Sequence, residues 1–226
     1  MNYLNDLFFG IYPYLAGTIF LLGSWIRFDR DQYSWKAGSS QMLSSRDFRK
    51  ANNQFHVGIL LLFFGHLFGL LTPPSVYHAL GLTTQVKQLL AMIAGGLFGG
   101  VCFIGMTFLV KRRLTDPRVR ATSSVSDIFI LLLIYVQLIL GLISILVSAF
   151  HLDGAQMLLL AEWAQRVVTF QGGAADVVAG VNWVYKLHII VGLTMFLVFP
   201  FTRLVHIWSA PIWYLGRSYQ IVRQKG

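Results

Sequence analysis

Residues 55–71 read FHVGILLLFFGHLFGLL, an apolar run that carries two imidazoles, His56 and His66. A second apolar run, 184–205, carries His188, and His206 follows at its end. Ionisable side chains in the apolar part of a membrane are costly and mark functional positions. The remaining two of the six histidines, His78 and His151, fall in connecting segments, where a solvated polar role suffices. Three chemistries use imidazoles inside an apolar helix: an interhelical hydrogen bond, a proton or metal pathway, and axial ligation of a haem iron. Proton and metal pathways usually enlist intramembrane carboxylates, but all nine acidic residues lie outside the apolar runs, Asp127 only at an edge. That counts against a pump.

The elements that must position these histidines follow from composition. Of the 226 residues 56% are hydrophobic and only 12% charged, against about 25% charged in soluble domains, so an integral membrane protein is expected. Five stretches are long enough to span at roughly 20 residues each: 8–26, 54–71, 88–110, 128–149 and 184–205. The expected fold is an all-α bundle of five transmembrane helices forming one domain over 1–226, with Pro13 disturbing the first and "TPP" at 72–74 ending the second. The opening MNYLND has no basic segment and no small-residue cleavage site follows, so a retained first helix is expected rather than a signal peptide. The single cysteine, Cys102, excludes an intramolecular disulfide, a four-cysteine iron–sulfur cluster and a zinc ribbon, and no CxxCH is present for covalent haem. The net charge of +9 is not a nucleic-acid signature here. Fifteen of the 18 basic residues fall on one side of the proposed spans, including Lys36, Lys111, Arg112, Arg113, Arg217, Arg223 and Lys225, while Lys87, Arg166 and Lys186 fall on the other. The positive-inside rule then puts the N-terminus in the periplasm and the C-terminus in the cytoplasm. The longest outer connection, 150–183, contains WAQRVVTFQGGAADV and is expected to hold a short amphipathic helix.

This topology pairs the histidines. The second stretch runs outward and the fifth inward, so His56 faces His206 near the cytoplasm and His66 faces His188 further out. Two imidazole pairs, one donor from each of two facing helices, are what two six-coordinate b haems require, the porphyrin supplying the other four nitrogens. On straight helices the spacing is uneven. Positions 188 and 206 are 18 residues apart, which is five turns and about 27 Å, so they share a face; positions 56 and 66 are ten apart, roughly 80° short of three turns and about 15 Å. Tilt, a kink or differently inclined haems must reconcile the two. Gly58, Gly65 and Gly69 lie within about 20° of one face, and Gly192 is one turn after His188; both leave room for a flat group. The overlapping pairs Gly95/Gly99 and Gly96/Gly100 read as helix packing. Arg203 could hold a haem propionate or simply snorkel. Lys87 could bind a quinone oxygen or a propionate, or sit at the interface as an ordinary lysine.

The segments IYPYLAG, GSWIRFDRDQYSWKAGSSQML, NQFHVGIL with GHLFGLLTP, KRRLTDPRVRAT, WAQRVVTFQGG and FPFTRLVHIWSAPIWYL closely resemble the membrane cytochrome b, or gamma, subunit of respiratory membrane-bound nitrate reductase, over essentially the whole chain. The resemblance implies a bacterial inner-membrane protein with two b haems, the proximal held by His56 and His206 and the distal by His66 and His188. It implies a quinol site, menaquinol or ubiquinol, at Gly65, His66, Gly69 and Lys87. It further implies an iron–sulfur beta subunit and a molybdenum-containing alpha subunit on the cytoplasmic side, the nitrate chemistry lying on the alpha subunit. The rivals are a similar gamma-type cytochrome of a heterodisulfide- or sulfite-type complex and a haem-free anchor or transporter.

Overall fold

The computed structural model describes residues 3–35, 45–209 and 216. Lys36, Arg217, Arg223 and Lys225, counted above among the basic residues, lie outside the described residues. Five helices are long and apolar enough to cross a membrane, and among the described residues there is no strand. They are α1 (Tyr3–Arg30), α2 (Arg46–Leu71), α3 (Thr84–Thr115), α4 (Val125–Ala149) and, after the shorter α5 (Ala155–Val168), α6 (Trp183–Val198), which continues as a 3₁₀ turn to Phe201. Each expected span is present, and most run a few residues further than the apolar run alone, because polar caps extend them. Ser45 Oγ accepts from the Phe48 amide, Thr83 Oγ1 from Val86, and Asn182 Oδ1 from Val184. Ser124 and Asp127 form a reciprocal capping box. In an apolar medium each unpaired backbone group costs several kcal/mol, so these caps are what lets helices start there.

Carbonyls at helix ends are satisfied by side chains from neighbouring elements. Gln88 of α3 donates Nε2–H to the carbonyls of Ser148 (3.2 Å) and His151 (2.8 Å), closing the end of α4. Gln165 of α5 donates to Leu70 O at 2.9 Å, near the end of α2. Pro13 acts as expected on α1. Proline has no N–H to give to the carbonyl four residues back, and the turn before it, Leu7–Ile11, widens into a π-turn. That carbonyl belongs to Phe9, and the indole Nε1–H of Trp163 donates to it at 3.0 Å. The expected short helix in the long connection is α5. It turns Ala161, Trp163 and Ala164 inward, while the Glu162–Arg166 ion pair (2.7 Å) lies on its outer face.

The helices pack in an open series. α2 lies against α3, α3 against α4, α4 against α6, and α6 against α1; α2 has no comparable contact with α6. Two buried clusters hold the series together. One, at the end carrying α5, is built on Phe9, Trp163, Val178 and Tyr185. The other, towards the arginine-rich end, is built on Cys102, Met106, Ile130, Phe199 and Val205.

Glycines set the closest approach, between α2 and α3. A Cβ on Gly58 would stand 2.6 Å from Cys102 Cβ and 2.9 Å from Phe98 O; one on Gly105 would stand 2.6 Å from Ala51 O. Gly58 therefore serves helix packing, not a flat ligand, although it shares its face with Gly65 and Gly69, beside which there is open space. Of the small-residue pairs on α3, Gly95 and Gly99 pack on Ile145 and Leu142 of α4, whereas Gly96 and Gly100 have nothing beside them. Gly105→Ala is predicted to push against backbone and lower stability by about 1–3 kcal/mol, and Gly100→Ala to stay within about 0.5 kcal/mol. Thermal unfolding in detergent checks this; equal losses in the two variants would contradict the packing.

Candidate functional site

The space beside α2 that α3 does not fill is where its histidines point. His56 and His66 are both exposed on α2, and each ring nitrogen Nδ1 lies 2.8 Å from the carbonyl four residues earlier, Asn52 and Leu62. A neutral imidazole that donates Nδ1–H keeps its lone pair on Nε2, the form in which histidine ligates a metal. His151, in the connection, makes a similar bond to Val147 O at 3.1 Å, so the bond alone does not distinguish a ligand; position within the span does.

His66 and His188 are brought together. Their ring centroids are 6.0 Å apart with the planes 37° from one another. Two imidazoles on opposite sides of one metal ion at about 2 Å place their centroids about 6 Å apart, a spacing this pair matches, with His188 Nε2 turned towards Gln137. Gly65 and Gly69, on the same helix, face open space. Lys87, in the first turn of α3 at the same end of the bundle, holds its ammonium 4.1 Å from the Tyr77 ring centroid.

His56 and His206 are not brought into ring contact among the described residues. The straight-helix geometry expected for the fifth span fails here. α6 ends at Val198, because Pro200 cannot continue the hydrogen-bond ladder. Phe199–Phe201 form a 3₁₀ turn, Thr202 is extended, and Arg203–Ser209 form a second 3₁₀ segment that carries His206. The five-turn, same-face relation between His188 and His206 is therefore void, and with it the 27 Å rise. The comparison of spacings with α2 therefore loses its straight-helix basis. His206 Nδ1 lies 2.5 Å from Arg203 O, so this histidine too keeps Nε2 outward. Arg203 Nε lies 3.8 Å from Asp127 Oδ1.

Two residues missed in the sequence hold this region. Gly23 of α1 receives the Pro200 ring: a Cβ there would stand 2.8 Å from Pro200 Cγ. Arg27, one turn further on, donates Nη1–H to Pro200 O (2.6 Å) and Thr202 O (3.0 Å), and its other nitrogens donate to Ser34. The guanidinium thus replaces the amide donors that the broken helix lacks. The available signal was the pairing of an arginine at the end of the first span with a proline at the end of the fifth.

The third missed residue is Gln137, the one amide in the apolar run 128–149. Its Nε2 lies 3.3 Å from His188 Nε2. A Cβ on Gly192 would stand 3.0 Å from that same amide nitrogen, so the gap left by Gly192 is filled by Gln137 and not by a flat group. Among the described residues no cluster of three or more His, Cys, Asp or Glu could hold a metal ion; the histidines come in twos, which suits a metal that brings its own equatorial donors.

A bundle of five apolar spans with a histidine pair between its second and fifth is a multi-pass membrane protein with a candidate haem site. The family model for the nitrate reductase gamma subunit matches residues 5–225. The respiratory nitrate reductase 1 gamma chain of Escherichia coli (strain K12) is 53% identical over 225 residues, covering all of both chains. The respiratory nitrate reductase 2 gamma chain of the same organism is 52% identical over 100% of this chain and 99% of its own. The nitrate reductase gamma chain of Bacillus subtilis (strain 168) is 35% identical over 98% of this chain and 99% of its own. The chain belongs to the nitrate reductase gamma subunit family.

Arg27→Ala is predicted to speed amide hydrogen exchange across 199–209, while Arg166→Ala, at the opposite end, leaves those amides at the wild-type rate. Unchanged exchange in Arg27→Ala would contradict the role given to its guanidinium.

Proposed function

We propose that the chain is the quinol-oxidising, electron-transferring subunit of a respiratory nitrate reductase. The single observation that carries this is the His66–His188 pair, 6.0 Å apart beside two open glycines, in a chain of this family. His66 and His188 would hold one b haem, and His56 and His206 a second. Haem, when bound at these positions, supplies one-electron relays across the membrane.

The quinol ring would dock at Gly65, His66, Gly69 and Lys87, where the absence of two side chains leaves room for a flat ring. Lys87 would leave the Tyr77 face to donate to a quinone oxygen; a cation–π contact is worth only about 0.5–2 kcal/mol, so the exchange is affordable. Oxidation of a quinol gives up two electrons and two protons. With the N-terminus in the periplasm, the protons leave on the periplasmic side. The electrons leave at the arginine-rich end, towards an iron–sulfur beta subunit and a molybdenum-containing alpha subunit in the cytoplasm. Each electron moved inward against the membrane potential stores about 2.3 kcal/mol per 100 mV. That is the energetic reason for spending a membrane subunit on this reaction.

His66→Ala in the assembled complex is predicted to remove one b haem and abolish quinol-dependent nitrate reduction, while nitrate reduction from artificial donors that reach the soluble subunits directly continues at the wild-type rate. Retained quinol oxidation in that variant would overturn the site.

A further inference from the structure

Among the four histidines on which the proposed function rests, His188 differs in how its ring is held. His56, His66 and His206 each place Nδ1 within 2.5–2.8 Å of a carbonyl of their own helical segment. His188 Nδ1 is buried and has no partner. Its Nε2 lies 3.3 Å from Gln137 Nε2. An amide nitrogen only donates, so His188 Nε2 is the acceptor and its proton is on Nδ1. The Nδ1–H therefore lacks an acceptor. Gln137 Oε1, on the same contacting amide, is also buried and lacks a donor.

Two complementary orphans on touching side chains in the middle of a membrane bundle call for an explanation, because a buried unpaired polar atom costs about 1–3 kcal/mol. The surroundings are shaped for this contact. Gly141, one turn along α4 from Gln137, lets the His188 ring approach: a Cβ there would stand 3.1 Å from His188 Cε1. Gly192, one turn along α6 from His188, lets the Gln137 amide lie flat against that helix. One glycine clears space for the His188 ring and another for the Gln137 amide, which is the one amide in its span, so the contact is built rather than incidental.

We infer that Gln137 is the positioning residue for His188: its Oε1 accepts the His188 Nδ1–H when Nε2 is given to a metal, doing from a neighbouring helix what the i−3 or i−4 carbonyl does for the other three histidines. Nε2 faces Gln137 in this structure, so the exchange requires the imidazole to turn over; Nδ1 then takes the side of the Gln137 amide, and one unsatisfied pair is exchanged for one hydrogen bond. The consequence is electronic as well as geometric. An acceptor on Nδ1–H makes the imidazole a stronger donor and favours the oxidised metal. An acceptor on another helix, unlike a backbone carbonyl, can also be altered by substitution. This inference rests on the two-haem reading of the chain.

The test is a redox titration by visible spectroscopy of the assembled complex, comparing wild type with Gln137→Leu and Gln137→Glu. In Gln137→Leu the acceptor is gone and the potential of the haem held by His66 and His188 is expected to rise. In Gln137→Glu the acceptor is strengthened and that potential is expected to fall. The other haem is expected to titrate as in wild type in both. If both variants keep the haem and titrate at the wild-type potential, the inference is overturned. If Gln137→Leu fails to assemble, the direction in Gln137→Glu decides: a fall supports the inference, and no change or a rise overturns it. A wild-type complex with no haem at this level would instead contradict the two-haem reading, and the inference would fall with it.

Discussion

An imidazole within a bilayer must be given a partner, and this requirement organises the molecule. His66 meets it through a carbonyl of its own helix and His188 through Gln137, and the two rings lie 6.0 Å apart across a gap where α2 and α6 make little contact. Elsewhere the chain does what membrane helices ordinarily do: glycines bring α2 and α3 into backbone contact, and leucine, isoleucine and methionine fill the centre. On the faces of α2 that α3 does not cover, His56 and His66 are exposed and Gly65 has open space beside it. The exposed large apolar side chains of α2 suit lipid, and its histidine-bearing face is where we propose that a flat metal-bearing group is held.

The supports of this junction lie outside it. Trp163 satisfies the carbonyl that Pro13 abandons, tying the long connection to α1. Arg27 does the same for the carbonyls around Pro200, tying α1 to the segment that carries His206. Two prolines, at opposite ends of the bundle, thus each call up a donor from a distant part of the chain. In water such carbonyls would be solvated without consequence; in an apolar medium they dictate long-range contacts. His206 is consequently held by a 3₁₀ segment anchored to α1, while His188 sits on a regular helix.

Most of the fold was legible because hydropathy and caps are local properties. The five spans, the break at residues 72–74, the disturbance at Pro13 and the helix in the long connection could all be read from the residues that form them. Topology also indicated that His66 and His188 meet, whereas His56 and His206 are not in ring contact among the described residues. What escaped was non-local. Pro200 is plain in the sequence, but its effect on His206 was lost by running a straight helix through it. Gly58 and Gly65 share a face, yet one meets Cys102 and the other meets nothing, because α2 and α3 diverge, and no periodicity reports divergence. Gly192 suggested space for a ligand, and the space belongs to Gln137. A lone amide in an apolar run, Gln137, is a signal of the same kind as a lone histidine, because each is a polar group that must find a partner there.

The central claim is that these histidines are axial ligands in two pairs. Haem content of the purified wild-type chain, expressed with ample haem and followed by visible redox titration, tests it most directly. The account predicts two b-type components per chain that titrate as separate species. A folded protein without haem absorption would contradict it and leave the histidines to packing or transport.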